Sequence, residues 1–170
     1  MNDSLVNWCI NTPLTPLEIQ VSNNGITKAT FVEEFIQNEV NVSPSMEVHI
    51  RSAEQWIEAY FMKTDLPTLE FDLESLTPFH RQVLRQLCKI QIGMIVSYSE
   101  LAHMCSRPKA ARAVGSAMAR NPIGLMIPCH RVVQKNGSMG AYSGLNGPNT
   151  KKLLLAFESQ NSSFNEFMSR

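Results

Sequence analysis

Apolar and polar residues alternate from Leu17 to Ser22 and resume an extended pattern from Ile26 to Phe31, with Asn23-Asn24-Gly25 between them. A period of two marks a half-buried strand, and a short break ending in Asn-Gly marks a hairpin turn. The period then changes. Behind Ser43-Pro44-Ser45, the residues Val48, Ile50, Trp56, Ile57, Tyr60 and Phe61 fall roughly on one helical face between Met46 and Met62. Residues 66–72 read as a short extended piece. This first part is a small α/β unit with acidic surfaces and no visible chemistry, and its Trp8, Trp56 and methionines are most simply core fill.

Thr77-Pro78 predicts a new helix, with a capping hydroxyl and a proline in the first turn, and Phe79, Val83, Leu87 and Ile90 give it a buried stripe before Gly93 ends it. Ser97-Tyr98-Ser99-Glu100 fits the capping box, in which Ser97 and Glu100 satisfy each other's backbone donors. A short helix through Cys105, the turn Ser106-Arg107-Pro108, and a second helix from about Lys109 to Arg120 make a helix-turn-helix, halted by Asn121-Pro122. Ala110, Ala111, Ala113, Gly115, Ser116, Ala117 and Ala119 make the second helix small throughout. Small side chains admit a DNA groove or a tightly packed helix equally well. Arg112, rising from this low relief, tilts the reading toward the groove.

Composition adds bounds. An apolar fraction of 44% over 170 residues suits one domain or two small ones with a buried core. The apolar runs are too short for a membrane span, and the N-terminus lacks the pattern of a secretory signal. Cys9, Cys88, Cys105 and Cys129 show no paired spacing, which fits a reducing cytoplasm and no metal site. The formal net charge of zero argues against a nucleic-acid partner until its distribution is read. No acid stands between Glu100 and Glu158, an interval that carries Arg107, Lys109, Arg112, Arg120, Arg131, Lys135, Lys151 and Lys152. Such asymmetry points to a polyanion, although a solvated basic face has the same composition.

Inside that interval lies Ile127-Pro128-Cys129-His130-Arg131-Val132. Thiolate is the nucleophilic form of cysteine, and nearby positive charge favours it. Neighbouring side chains on an extended segment face opposite ways, so His130 can serve Cys129 only through a turn or a bridging water. Taken in order, Ser97-Tyr98-Ser99-Glu100-Leu101-Ala102, Arg112-Ala113-Val114-Gly115-Ser116-Ala117-Met118, Asn121-Pro122, Pro128-Cys129-His130-Arg131-Val132 and Gly140-Ala141-Tyr142-Ser143-Gly144 resemble the O6-alkylguanine-DNA alkyltransferases from about Thr77 to Glu158, roughly half the chain.

The resemblance implies an α+β fold: a small N-terminal ribonuclease-H-like α/β domain over residues 1–76, then a mostly helical winged-helix-like domain with the helix-turn-helix over 77–170. It implies direct repair of double-stranded DNA containing O6-alkylguanine, with O4-alkylthymine as a further substrate. The base is flipped out and its alkyl group passes irreversibly to Cys129, once per molecule, without a cofactor. His130 deprotonates the thiol and Glu158 orients His130, while Asn121 holds the turn before the acceptor segment and its surroundings. Arg112 fills the gap left by the base, and Tyr98 pushes on the 3′ phosphate and hydrogen-bonds or protonates the departing guanine. Ala111, Ser116, Arg120 and Arg131 join the DNA-binding set, and Tyr142, Ser143 and Pro128 form the base pocket. A monomer that binds DNA cooperatively, cytoplasmic and nucleoid-associated in a bacterium, completes the expectation.

Two departures stand out. Ile90-Gln91-Ile92-Gly93 lacks the family's frequent proline, and Asn146-Gly147-Pro148 replaces the commoner second glycine of the lid, which bears on pocket size. The rivals are a non-enzymatic alkyltransferase-like sensor, which commonly carries tryptophan at the acceptor position, a helix-turn-helix regulator, and a cysteine hydrolase built on Cys129, His130 and Glu158.

Overall fold

The computed structural model describes residues 5–38, 41–140, 142, 144, 147–160, 164 and 168. Its contacts divide the chain into two compact units, Met1–Leu73 with Asn161–Arg170, and Glu74–Gln160. The end of the chain, expected with the second unit, groups with the first, where Phe164 meets Phe61 edge-on at 5.2 Å. Each unit mixes helix and strand, so the α+β class holds for both.

In the first unit, β1 (Val6–Ile10), β2 (Leu17–Ser22) and β3 (Gly25–Phe31) form an antiparallel sheet in the order β1-β2-β3. The hairpin turns at Asn23-Asn24 as its sequence predicts, with Ser22 opposite Gly25. Strand β1 has no clean alternation to announce it, and Trp8 is half-buried at its middle, with its indole N–H donating to Glu54. Helix α1 (Pro44–Met62) packs on the sheet, started by the Ser43 hydroxyl accepting from the Met46 N–H and stopped by Lys63 in the left-handed region. Met46, Ile50, Ala53 and Ile57 make its buried stripe. Val48, expected on that stripe, is 62% exposed. Two residues from Met46 and Ile50, it lies about 200° around the helix from both.

The piece at 66–72 is not a strand: one parallel bridge joins Phe71 to Ile26, where Ile26 N–H donates to Glu70 O and Asp72 N–H to Ile26 O. Gly25 makes this approach possible. Its φ is +147°, and a Cβ there would stand 2.6 Å from the Glu70 carbonyl oxygen.

The second unit starts with α2 (Pro78–Leu87), capped by Thr77 accepting from the His80 N–H. Strand β4 (Val96–Ser97) leads directly into α3 (Tyr98–Met104), and both halves of the predicted capping box are present. Helix α4 (Ala111–Ala119) starts two residues later than expected and packs against α3 and α2 through Val114, Ala117 and Met118. A single 3-10 turn, Cys129–Arg131, runs into β5 (Val132–Val133), and α5 (Pro148–Glu158) closes the unit. Strands β4 and β5 pair in parallel, Val96 with Val132 and Ser97 with Val133. This pairing positions the site: the residue after β4 is Tyr98, and the three before β5 are Cys129, His130 and Arg131. Cys88, read as lying on an apolar helix face, is exposed at the end of α2.

Replacing Gly25 by alanine is expected to lower stability by roughly 2 kcal/mol or more, because neither its backbone angle nor the Glu70 backbone has room to adjust. Ser97→Ala, which removes one cap, should cost about 1 kcal/mol. Urea-unfolding midpoints compare the two, and equal losses would contradict the close approach at Gly25.

Candidate active site

The acceptor segment is built by a loop that holds little freedom. Asn121 Nδ2 donates to the Ile127 carbonyl at 2.9 Å and its Oδ1 accepts from the Ile123 N–H at 3.1 Å, so one side chain staples residues 121–127. Within the staple, Leu125 is fully buried at φ +65°, a conformation that costs a non-glycine residue about 1–3 kcal/mol and persists only where packing enforces it. Pro128, itself buried, caps the 3-10 turn. The turn is the element that the Cys-His adjacency required: it removes the opposite-face geometry of an extended pair.

Cys129 is 5% exposed. Burial pushes its thiol up from the ordinary value, and a hydrogen bond from the Asn121 side chain and the positive charge of Lys151 pull it back. His130 is fully buried, with Nε2 at 2.7 Å from Glu158 Oε1. Glu158 also accepts from Arg131 Nε and Nη2, both at 2.9 Å, and Arg131 Nη1 donates to the Ile90 carbonyl. Burial alone would raise the Glu158 carboxyl; the bonds and charges of His130 and Arg131 outweigh it and hold the group well below the usual carboxylate range. Burial lowers His130 despite Glu158, so the imidazole is neutral near pH 7. An ionised Glu158 can only accept, which puts the imidazole proton on Nε2 and leaves Nδ1 a bare acceptor. That Nδ1 is buried and has no hydrogen-bond partner among the described residues.

Tyr98 and Tyr142 both sense the sulfur: burial raises their hydroxyls, and negative charge on Cys129 raises them further. Tyr142 is half-buried and edge-on to His130, ring centroids 6.5 Å apart. Tyr98 sits against two glycines. A Cβ on Gly115 of α4 would lie 3.5 Å from its ring, and one on Gly140, at φ +66°, 2.9 Å from its hydroxyl. The approach at 115 is an ordinary contact that a methyl would also make, whereas Gly140 is the position where a side chain would collide with Tyr98.

The fold therefore gathers Cys129, His130, Glu158 and Asn121, with Tyr98, Tyr142 and Pro128 around them. Ser143 lies outside the described residues. Arg112, Ser116 and Arg120 are exposed on or just after α4, and Ala111 is half-buried at its start. Arg131 corrects the sequence reading: it is 5% exposed and spends its guanidinium on Glu158 and Ile90, so it has no arm for DNA. The expectation failed because charge in a basic run does not distinguish a surface arginine from the partner of a buried acid. Lys151 was likewise counted in that run, yet it is 0% exposed and donates to the Val132 carbonyl at 2.6 Å. One signal could have found it: Lys151, Leu154 and Glu158 recur at helical spacing on one face. The other six basic residues of the interval remain exposed.

Residues 78–160 match the family described as 6-O-methylguanine DNA methyltransferase, DNA binding domain. Over 110 residues the chain is 47% identical to the methylated-DNA--protein-cysteine methyltransferase of Cricetulus griseus, a match covering 61% of this chain and 52% of that protein. The chain thus aligns with about half the length of that mammalian relative. The Methanosarcina mazei protein of the same name is 32% identical over 154 residues, covering 89% of this chain and 96% of its own. Among solved structures, Mycobacterium tuberculosis OGT in complex with DNA superposes with a TM-score of 0.77 at 30% identity, covering 95% of this chain and 98% of that one. Likeness along nearly the whole length in both sequence and fold has one meaning: the chain belongs to the methylated-DNA--protein-cysteine methyltransferase family.

The buried titrating groups set an acid dependence. Glu158, His130 and His80, which burial also lowers, hold protons less tightly folded than unfolded. Unfolding therefore takes up protons, and stability present at neutral pH is lost on acidification: below about 6.5 through the histidines and below about 4.3 through Glu158. The urea midpoint should be flat from about pH 8 to 7, decline toward pH 5, and fall again near 4, the last step shrinking in Glu158→Gln. A midpoint that rises between pH 7 and 5 would contradict these directions.

Proposed function

We propose that this protein repairs double-stranded DNA by moving the alkyl group of O6-alkylguanine to Cys129 in one irreversible step. The observation that carries the reading is the buried thiol next to an imidazole whose Nε2 is committed to Glu158 and whose Nδ1 is a bare acceptor. Nδ1 takes the thiol proton, directly or through one water. The sulfur then forms a bond to the alkyl carbon, the bond from that carbon to O6 breaks, and its electron pair leaves with the guanine. Imidazolium or the Tyr98 hydroxyl returns a proton to the guanine, and a neutral thioether remains. Nothing in this sequence regenerates the thiol, so each molecule acts once.

A thiol only 5% exposed reaches a base in a duplex only if the base comes to it, which supports flipping. In this reading Arg112 occupies the vacated place in the stack, and Ala111, Ser116 and Arg120 lie along the duplex with Tyr98. Tyr142, Pro128 and Ser143 wall the base. The other five exposed basic residues of the interval supply phosphate contacts, and the DNA complex of the Mycobacterium tuberculosis relative supports the same partner. We read the first unit as ribonuclease-H-like and the second as winged-helix-like, in a cytoplasmic monomer.

Incubation with a duplex containing O6-methylguanine, followed by intact and peptide mass spectrometry, should show one methyl gained on the Cys129 peptide, saturating at one per protein. Tight binding without modification would favour a damage sensor instead. Arg112→Ala should slow repair of the duplex by tenfold to a hundredfold, on the order of the few kcal/mol that extruding a base costs, and leave reaction with free O6-methylguanine base unchanged. Equal slowing on both substrates would remove Arg112 from the flipping step.

A further inference from the structure

Away from the acceptor, one contact of the second unit sets a cation on an aromatic face. Arg107 Cζ lies over the Phe79 ring, 5.4 Å from its centroid. Arg107 is exposed in the turn between α3 and α4, and Phe79 is half-buried in the first turn of α2. The backbone of that turn is closed by a Schellman pattern. Ser106, left-handed at φ +56°, donates its N–H to the His103 carbonyl at 2.8 Å, and the Arg107 N–H donates to the Ala102 carbonyl at 2.9 Å. The residue in the place of Arg107 is commonly apolar and packs back on its own helix. Here it reaches across to α2 instead. Helix α2 holds the turn a second time, through Gln82 Nε2 donating to the Cys105 carbonyl at 2.9 Å. Phe79 and Gln82, three residues apart, share one face of α2.

The contact leaves the binding capacity of the guanidinium unspent. A ring face attracts the cation but accepts through none of its five N–H donors in their plane. Among the described residues, no carboxylate or carbonyl takes a hydrogen bond from the Arg107 side chain. Of the six exposed basic residues between Glu100 and Glu158, it is also the one whose head group rests on another side chain within the described structure.

We propose that Arg107 is a pre-oriented phosphate contact and that Phe79 is the residue that positions it, holding the guanidinium flat before DNA arrives. The inference rests on the reading of this basic face as the DNA-binding one. A long side chain that is free in solution loses rotamer freedom when it grips a phosphate, and one already held loses less. The rigid fork of arginine matches phosphate oxygens, and stacking on a ring leaves that fork intact. The turn is the last backbone before α4, so a phosphate held there fixes where α4 and Arg112 meet the duplex.

The test measures binding, not repair. Anisotropy with an unmodified fluorescent duplex, over a salt series, compares full-length wild type, Phe79→Leu, Phe79→Tyr, Arg107→Ala and the double variant of Phe79→Leu with Arg107→Ala. Arg107→Ala should weaken binding and flatten the slope of log K against log salt by about 0.9, the loss of one phosphate contact. Phe79→Leu should weaken binding about two- to fivefold, the scale of an exposed cation–π contact, with the slope kept, and Phe79→Tyr should bind as wild type does. Once Arg107 is alanine, Phe79→Leu should cost nothing further. A purely structural Phe79 would weaken binding equally in both backgrounds, and that result, or an unchanged slope in Arg107→Ala, overturns the proposal.

If Phe79→Leu does not fold, NMR of the wild type decides. The Arg107 δ-methylene protons, shifted upfield by the ring, should stay shifted in the duplex complex; their return to the free-arginine position on binding overturns the proposal. Duplex binding with the expected coupling but no methyl transfer from O6-methylguanine would count against the proposed chemistry and leave this inference standing. Methyl transfer without coupling between residues 79 and 107 would do the reverse.

Discussion

The carboxylate of Glu158, closed off from water and holding His130 and Arg131 together, is the interaction on which the rest of the second unit depends. It ties the last turn of α5 to the acceptor turn, and through Arg131 to the carbonyl of Ile90 just after α2. Desolvating such a set consumes most of what the charges return, so its net worth to stability is small, whereas removing one member strands the others at about 3–5 kcal/mol. What the set supplies is definition. It fixes the imidazole tautomer, and with it the nitrogen that is left to receive a proton.

The same acid explains how the long acid-free interval can be ended by a glutamate without weakening its basic face: Glu158 never reaches the surface. Helix α4 resolves in a similar way. Close packing and low relief had seemed alternative reasons for its small residues, and the helix uses both. Ala117 packs inward beside Val114 and Met118, Gly115 lies against the Tyr98 ring, and Ala113, Ser116 and Ala119 leave a shallow exposed surface from which Arg112 stands out.

Much of this was legible where local chemistry decides structure. The Asn-Asn-Gly hairpin, the Thr77 cap and the Ser97–Glu100 box each rest on contacts within a few residues, and all three formed as the residues predicted. The adjacency of Cys129 and His130 and the late Glu158 marked the centre of the site. What remained hidden is decided at a distance. Strand β1 is held by β2 and has no pattern of its own; β4 and β5, two residues each, exist only because they pair. Arg131 and Lys151 looked like surface charge because lysine and arginine are almost always outside, and only folding brings the first to a buried acid and the second to the Val132 carbonyl.

The parallel pair β4–β5 has a consequence of its own. It is short, just two residues opposite two, yet it joins the start of α3 to the end of the acceptor turn with no intervening loop to absorb movement. Cys129 itself is buried, and the loop before it includes a strained Leu125 and the Asn121 staple. An alkyl group added to the sulfur in the proposed reaction has to be accommodated beside this turn, whose strand pairing leads directly to the start of α3. Four paired backbone residues are thus all that separates the acceptor turn from the helices of the basic face.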